Sequence, residues 1–242
     1  MALIFLLSMI ATLLLGNQMS PAEFGDFALL KTFILIGATF SIFGMDQGAI
    51  RNNLNGHPTI SLSVVNSVSI ILSIVFSFTM KIIFSLSILQ FLLLWGIVFF
   101  NSNVLYISSI HRLKNKFIFA QVLHSFWKVF LFVLVGICFL LKINIGITNV
   151  YKFLFYALLI VFISHYLFIS RSLKNDNSII SANIQKNAIK DGVLLWLINV
   201  LGLVFSGLDR FIIPVVTDKT VLGSYYAITF IYLTGFTMIG SA

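Results

Sequence analysis

A chain of 242 residues that is 60% hydrophobic and 9% charged lacks the polar surface of a water-soluble domain, in which about a quarter of residues are charged. Mean hydropathy is +1.08, and there are three prolines, which suits long helices in lipid. The net charge of +8 does not mark a nucleic-acid binder, because the 15 Lys and Arg are scattered without a dense stripe; cytoplasmic loops of membrane proteins carry such an excess.

The fold class predicted is an all-α integral membrane protein. A spanning helix needs about 20 apolar residues, and stretches at roughly 2–16, 27–44, 60–80, 82–110, 117–141, 153–170, 193–216 and 223–242 are read as eight spans. The first has no basic residue before Leu3 to Leu15, which argues against a cleaved signal peptide. A turn and helix start follow at Gly16 to Gly25, and Gly44-Met45-Asp46-Gln47-Gly48 breaks the second span. Asp46 and Arg51 fall in a corner where helix capping and lipid contact account for them. The third span carries Ser63, Asn66, Ser69, Ser73 and Ser77 at helical spacing, read as a small-polar packing seam. The fourth is long enough to tilt or to extend into water. After the basic loop His111–Lys116, the fifth places Gln121, His124, Ser125 and Lys128 on one face, at spacings of three and four. Cys138, alone in the chain, can form no internal disulfide and suits apolar packing. Residues 171–192, rich in Asn, Ser and Lys, form the longest polar stretch and read as a cytoplasmic linker.

Placing the N-terminus in the cytoplasm puts Arg51, Arg112, Lys114, Lys116, Arg171, Lys174, Lys186 and Lys190 inside, against Lys81, Lys142, Lys152 and Lys219 outside. The positive-inside rule favours that orientation. An internal repeat also emerges. Shifted by 198 residues, Phe24-Gly25-Asp26-Phe27 falls on Leu222-Gly223-Ser224-Tyr225, Gly37 on Gly235 and Thr39 on Thr237. Such duplication is common in transporters. It divides the chain into a six-helix lobe (1–170), the linker (171–192) and the first two helices of a second lobe (193–242).

Ionisable groups inside spans are costly and face a cavity or a partner. Lys128, near the middle of the fifth span, and Arg210, in the seventh, are candidate cavity cations. Lys31, near the end of its span, is read as either a cavity residue or a snorkelling one. Gln121 and His124 either line a wet cavity beside Lys128 or bond to another helix. Asp209 is read as either a structural partner of another helix or a further cavity residue. No nucleophile elbow or phosphate loop appears, and His57, His111, His124 and His165 lack metal-ligand spacing. No catalytic residue, metal or cofactor is therefore expected.

Three segments resemble a known family. Asn17-Gln18-Met19-Ser20-Pro21-Ala22-Glu23-Phe24-Gly25-Asp26-Phe27-Ala28-Leu29 is similar to the first outer loop of bacterial polysaccharide-biosynthesis flippases, within the multidrug, oligosaccharidyl-lipid and polysaccharide exporter superfamily. Phe43-Gly44-Met45-Asp46-Gln47-Gly48-Ala49-Ile50-Arg51 resembles the segment after that family's second helix. Gly207-Leu208-Asp209-Arg210-Phe211-Ile212-Ile213-Pro214, with Leu222-Gly223-Ser224-Tyr225, resembles its seventh-helix motif and following turn. The resemblance implies transport of undecaprenyl-pyrophosphate-linked oligosaccharide repeat units across the cytoplasmic membrane for O-antigen or capsule synthesis. Lys and Arg would hold the pyrophosphate in a water-filled vestibule. The partners implied are the lipid-linked oligosaccharide, membrane lipids, and the polysaccharide polymerase and chain-length machinery. Family members have about twelve to fourteen spans, so a chain truncated after its eighth helix is expected. The rival readings are a membrane-embedded oligosaccharide polymerase or lipid-sugar transferase, a drug/cation antiporter of the same superfamily, and an inactive truncated fragment.

Overall fold

The computed structural model describes residues 2–54, 60–173 and 182–240, and every regular element among them is an α-helix. In chain order these are α1 (Ala2–Gln18), α2 (Pro21–Ile42), α3 (Met45–Leu54), α4 (Leu62–Phe84), α5 (Ile88–Leu113), α6 (Phe117–Leu140), α7 (Ile147–Leu173), α8 (Ala182–Ser206), α9 (Leu208–Val216) and α10 (Lys219–Gly240). Helices α2, α4, α5, α6 and the Ile147–Ser164 part of α7 are each long and apolar enough to cross a membrane. Gly192–Ser206 and Leu208–Val216, bent by 49° at their junction, make a sixth span if taken together, and α1 offers the shorter apolar run Leu6–Gln18. The described chain therefore has the makeup of a multi-pass, all-helical membrane protein, since a helix satisfies its own backbone in lipid.

Local chemistry sets the helix ends. At the start of α2 the Ser20 hydroxyl accepts from the Glu23 N–H (3.4 Å), while Glu23 Oε2 accepts from the Ser20 N–H (3.2 Å). This reciprocal cap satisfies two otherwise orphan donors, and Pro21 suits the first helical position. Ser87 and Gln90 repeat the device at α5. Asp218 starts α10 by accepting from Val221 N–H (2.9 Å) and the Thr220 hydroxyl (2.5 Å). These bonds favour the ionised form and hold the Asp218 carboxyl below its ordinary range.

Four boundaries differ from expectation. The break expected near residue 81 falls at Ser85, whose φ of 51° is left-handed. Lys81 stays in the last turn of α4, where a cation suits the helix C-terminus, and its ammonium lies 5.3 Å from the Phe91 ring. The punctuation after α2 is itself helical. Only Phe43 and Gly44 take positive φ, and α3 then carries Asp46 in its first turn and Arg51 in its last, the order that complements the helix dipole. The expected linker is helical at 171–173 and from Ala182 onward, and residues 174–181 lie outside the described part. The expected span 193–216 is broken between α8 and α9.

Contacts group the chain into two units that interleave in sequence: residues 1–32, 125–157 and 206–242, and residues 33–124 and 158–205. In lipid, apolar burial does little to drive helices together, so close packing and polar contacts decide. In the second unit, Ser69, Ser73 and Ser77 of α4 are fully buried, small enough to admit a neighbouring helix. Gly37 of α2 is similarly enclosed: a Cβ there would lie 2.6 Å from the Phe76 ring and 2.8 Å from Val98. Asn101 of α5 donates to the Ile34 carbonyl of α2 (3.4 Å), and the Trp196 indole of α8 donates to the Phe40 carbonyl (3.2 Å).

In the first unit, α2 and α10 meet backbone to backbone. A Cβ on Gly25 would strike the Lys219 carbonyl, and one on Gly223 would strike the Pro21 carbonyl. Gly25 and Gly223 are 198 residues apart, and so are Pro21 and Lys219. The crossing is therefore reciprocal under the repeat read from the sequence, as in an isologous contact between two copies. Lys219 also pairs with Asp26 at 2.8 Å.

Candidate functional site

The first unit gathers cations around one aromatic ring. Tyr226 of α10 is 1% exposed, held against Phe24 (5.4 Å between centroids) and Phe230 (5.5 Å). The Arg210 guanidinium of α9 lies 5.1 Å from the Tyr226 ring, and the Lys31 ammonium of α2 lies 5.9 Å from it. Lys31 is also 4.8 Å from the Phe230 ring and 5.5 Å from Phe27. Aromatic faces attract cations, most strongly where water is scarce.

Hydroxyls complete the setting. The Lys31 ammonium donates to Thr12 Oγ1 of α1 (3.4 Å), and Arg210 Nη1 donates to Thr32 Oγ1 of α2 (3.3 Å). Each threonine passes its own proton back to its helix, Thr12 to the Ser8 carbonyl (2.8 Å) and Thr32 to the Ala28 carbonyl (3.0 Å). Both hydroxyl oxygens are thus turned to accept from the cations. Arg210 Nε is buried without a hydrogen-bond partner among the described residues.

The nearby carboxylates are engaged elsewhere. Asp209 accepts from the Tyr225 hydroxyl (2.7 Å) and from the Arg210 backbone N–H (2.9 Å), tying α9 to α10. Asp26 pairs with Lys219. Among the described residues, Lys219–Asp26 is the only ion pair, so no described carboxylate neutralises Lys31 or Arg210 at salt-bridge distance. Lys128 of α6, whose ammonium is 5.7 Å from the Trp127 ring, is near enough to Lys31 for the two to repel.

Of the residues singled out in the sequence, Lys31 and Arg210 share the Tyr226 ring, Lys128 adds positive field, and Asp209 bonds to Tyr225. Gln121 and His124 are half-buried on the stretch of α6 that belongs to the other unit. His57 lies outside the described residues. Sequence reasoning missed Tyr226, Phe27, Phe230, Thr12 and Thr32. The paired tyrosines after Gly223 were a visible signal, but their role depends on contacts between segments some 200 positions apart.

No family model matches the chain, and no curated protein or solved structure matches it.

Proposed function

We propose that this chain is a flippase of the bacterial cytoplasmic membrane, with eight spans and a cytoplasmic N-terminus, and that it carries undecaprenyl-pyrophosphate-linked oligosaccharide repeat units for O-antigen or capsular polysaccharide synthesis. One observation carries the reading: Lys31 and Arg210 flank a single buried tyrosine, and no described carboxylate lies at salt-bridge distance from either. Partly buried charge without a counter-ion is costly, and a cargo bearing a pyrophosphate recovers that cost when it arrives. Each charge-assisted hydrogen bond contributes about 1.5–3 kcal/mol. Arg210 offers a planar fork to two oxygens, whereas Lys31 acts as a point charge. The motif resemblances supply the nature of the sugar-lipid cargo, and the excess of Lys and Arg on one set of loops supports the orientation.

Binding is tested with purified protein and two ligands that differ only in the anion, farnesyl pyrophosphate and farnesol. The pyrophosphate should stabilise the protein against heating at concentrations where the alcohol does not. Lys31→Ala and Arg210→Ala should each weaken it by roughly 10- to 100-fold, about one charge-assisted bond, with Arg210→Lys intermediate. Equal effects of the two ligands, or undiminished affinity in both alanine variants, would overturn the anion site. The cargo is tested by surface polysaccharide, normalised to membrane-inserted protein, in a strain lacking its own repeat-unit flippase. Unchanged normalised output in both alanine variants would refute a transport role for these cations.

A further inference from the structure

The second unit contains a cavity with a different chemistry. It has a volume of about 500 Å³ and is lined by Thr39 and Ile42 of α2, Asp46 of α3, Leu105 of α5, and Ile198, Asn199, Gly202 and Leu203 of α8. The volume lies within the range of small-ligand pockets. Its wall is mostly apolar, and among the described residues that line it Asp46 is the only charged one. The backbone holds that carboxyl in place. Gly44, two residues earlier, takes a φ of +70° and meets the Gly192 backbone so closely that a Cβ would strike the Gly192 carbonyl. The carboxyl therefore sits where α2 ends and α3 presses on α8.

We propose that Asp46 is a proton-binding site, taking up and releasing a proton at the wall of this cavity. Ionised, it requires water or a cation among Ile42, Leu105, Ile198 and Leu203. Neutral, it lets those side chains close on a drier space. Proton occupancy thus sets the hydration of the cavity between α2, α3, α5 and α8, whatever cargo the protein carries.

The groups around Asp46 agree with this. Gln47 donates to Oδ2 (3.1 Å), and Arg112 of α5 is the charged side chain whose field reaches it. Thr39 of α2, whose hydroxyl donates to the Leu35 carbonyl (3.0 Å), and Asn199 of α8 are uncharged. Arg51 on α3 itself and Lys190 on α8 are exposed. Gln47 and Arg112 favour the anion, yet burial outweighs them and raises the carboxyl above its ordinary range. The reaction is a simple acid–base exchange: the carboxylate takes a proton from water and returns it.

Trp196 is a built-in reporter. Its ring lies 4.8 Å from Phe43, and its Cβ is 3.0 Å from where a Gly44 Cβ would stand. With Trp95 and Trp127 replaced by Phe, Trp196 emission should change with pH, with a midpoint above the ordinary carboxylate value of about 4. Asp46→Asn should abolish the change, and Asp46→Glu should keep it. The infrared difference between the parent and Asp46→Asn should contain one protonated-carboxyl band, and it should disappear across the same pH interval. A titration that survives Asp46→Asn would overturn the proposal. So would a midpoint near 4, or a Trp196 response to sodium at fixed pH instead of to protons. If the Asn variant does not fold, a Trp196 emission midpoint near 4 in the parent protein decides against the site on its own.

Discussion

Replacing Gly223 by alanine tests the backbone-to-backbone crossing of α2 and α10. The added methyl would strike the Pro21 carbonyl oxygen, and it would stand 2.8 Å from the carbonyl carbon and 3.0 Å from Gly25 N. Gly25→Ala makes the reciprocal conflict, with the Lys219 carbonyl carbon at 3.1 Å and Gly223 N at 3.2 Å. Ordinary contacts of a Cβ lie at 3.4–4 Å, and helix backbone cannot swing aside as a side chain does. α2 and α10 must therefore separate locally, stretching the 2.8 Å Lys219–Asp26 pair. Overpacking of this kind costs about 1–3 kcal/mol, and each kcal/mol lowers the melting point of a chain this size by about 2–4 °C. Because one separation admits both methyls, Gly25→Ala with Gly223→Ala should cost less than the two singles together, a coupling on the order of 1 kcal/mol. The assay is thermal unfolding of detergent-solubilised protein. Gly136→Ala and Gly202→Ala serve as controls, since a Cβ at either meets nothing within 4 Å and alanine favours helix by about 1 kcal/mol. Strict additivity, or a Gly223→Ala variant as stable as the controls, would refute the reciprocal crossing.

Gly37→Ala should lower stability by about 1–3 kcal/mol through overlap with Phe76 and Val98, and shortening Phe76 to Leu in the same protein should recover part of the loss in the same melting assay. Asp46 has a folded-state pKa above its unfolded value, so its contribution to stability is present at low pH and lost as pH rises from the ordinary carboxylate range through the raised pKa. Melting points of Asp46→Asn should lack that decline, and a parallel pH profile in parent and variant would contradict it. In a Cys138→Ala background, single cysteines at the exposed positions Ser20, Asn115 and Asn144 report topology: a membrane-impermeant thiol reagent on intact cells should label 20 and 144 and spare 115, and the reverse pattern would invert the chain.

The apolar helices were legible because lipid leaves the backbone no other solution, and runs such as 62–84 and 117–140 are dominated by apolar residues. Polar residues near their ends misled. Lys81 looked like a loop residue but occupies the last turn of α4, and the Asn- and Ser-rich stretch before Gly192 is helical from Ala182. Gly44 to Gly48 signalled a break, yet a left-handed step at Phe43 and Gly44 is enough to start α3. In the candidate site, Lys31 and Arg210 stood out because charge in an apolar run is rare. That both should meet Tyr226 depends on α2, α9 and α10 converging, which no local pattern encodes. Asp46 illustrates the opposite difficulty: at a helix start it reads as a cap, and only the packing of α8 against Gly44 and the cavity it borders give it another role.

The disposition of acidic groups explains why the two sites differ. The chain has seven Asp and Glu against 15 Lys and Arg, so pairing every cation is impossible and placement of each carboxylate matters. In the first unit they are committed to architecture: Glu23 caps α2, Asp26 holds Lys219, Asp209 binds Tyr225, and Asp218 starts α10. Each bond fixes a helix end or crossing of the first unit, and none of these carboxylates forms a salt bridge with Lys31 or Arg210. A carboxylate near those cations would form a salt bridge, and an arriving anion would then have to displace it. Water, aromatic faces and threonine hydroxyls solvate a cation without competing so strongly with a phosphate. The same reasoning runs in reverse at Asp46. No lysine or arginine is among the described residues of its cavity wall, and the Arg112 field does not offset burial, so a proton is the smallest cation able to neutralise it without opening the apolar wall.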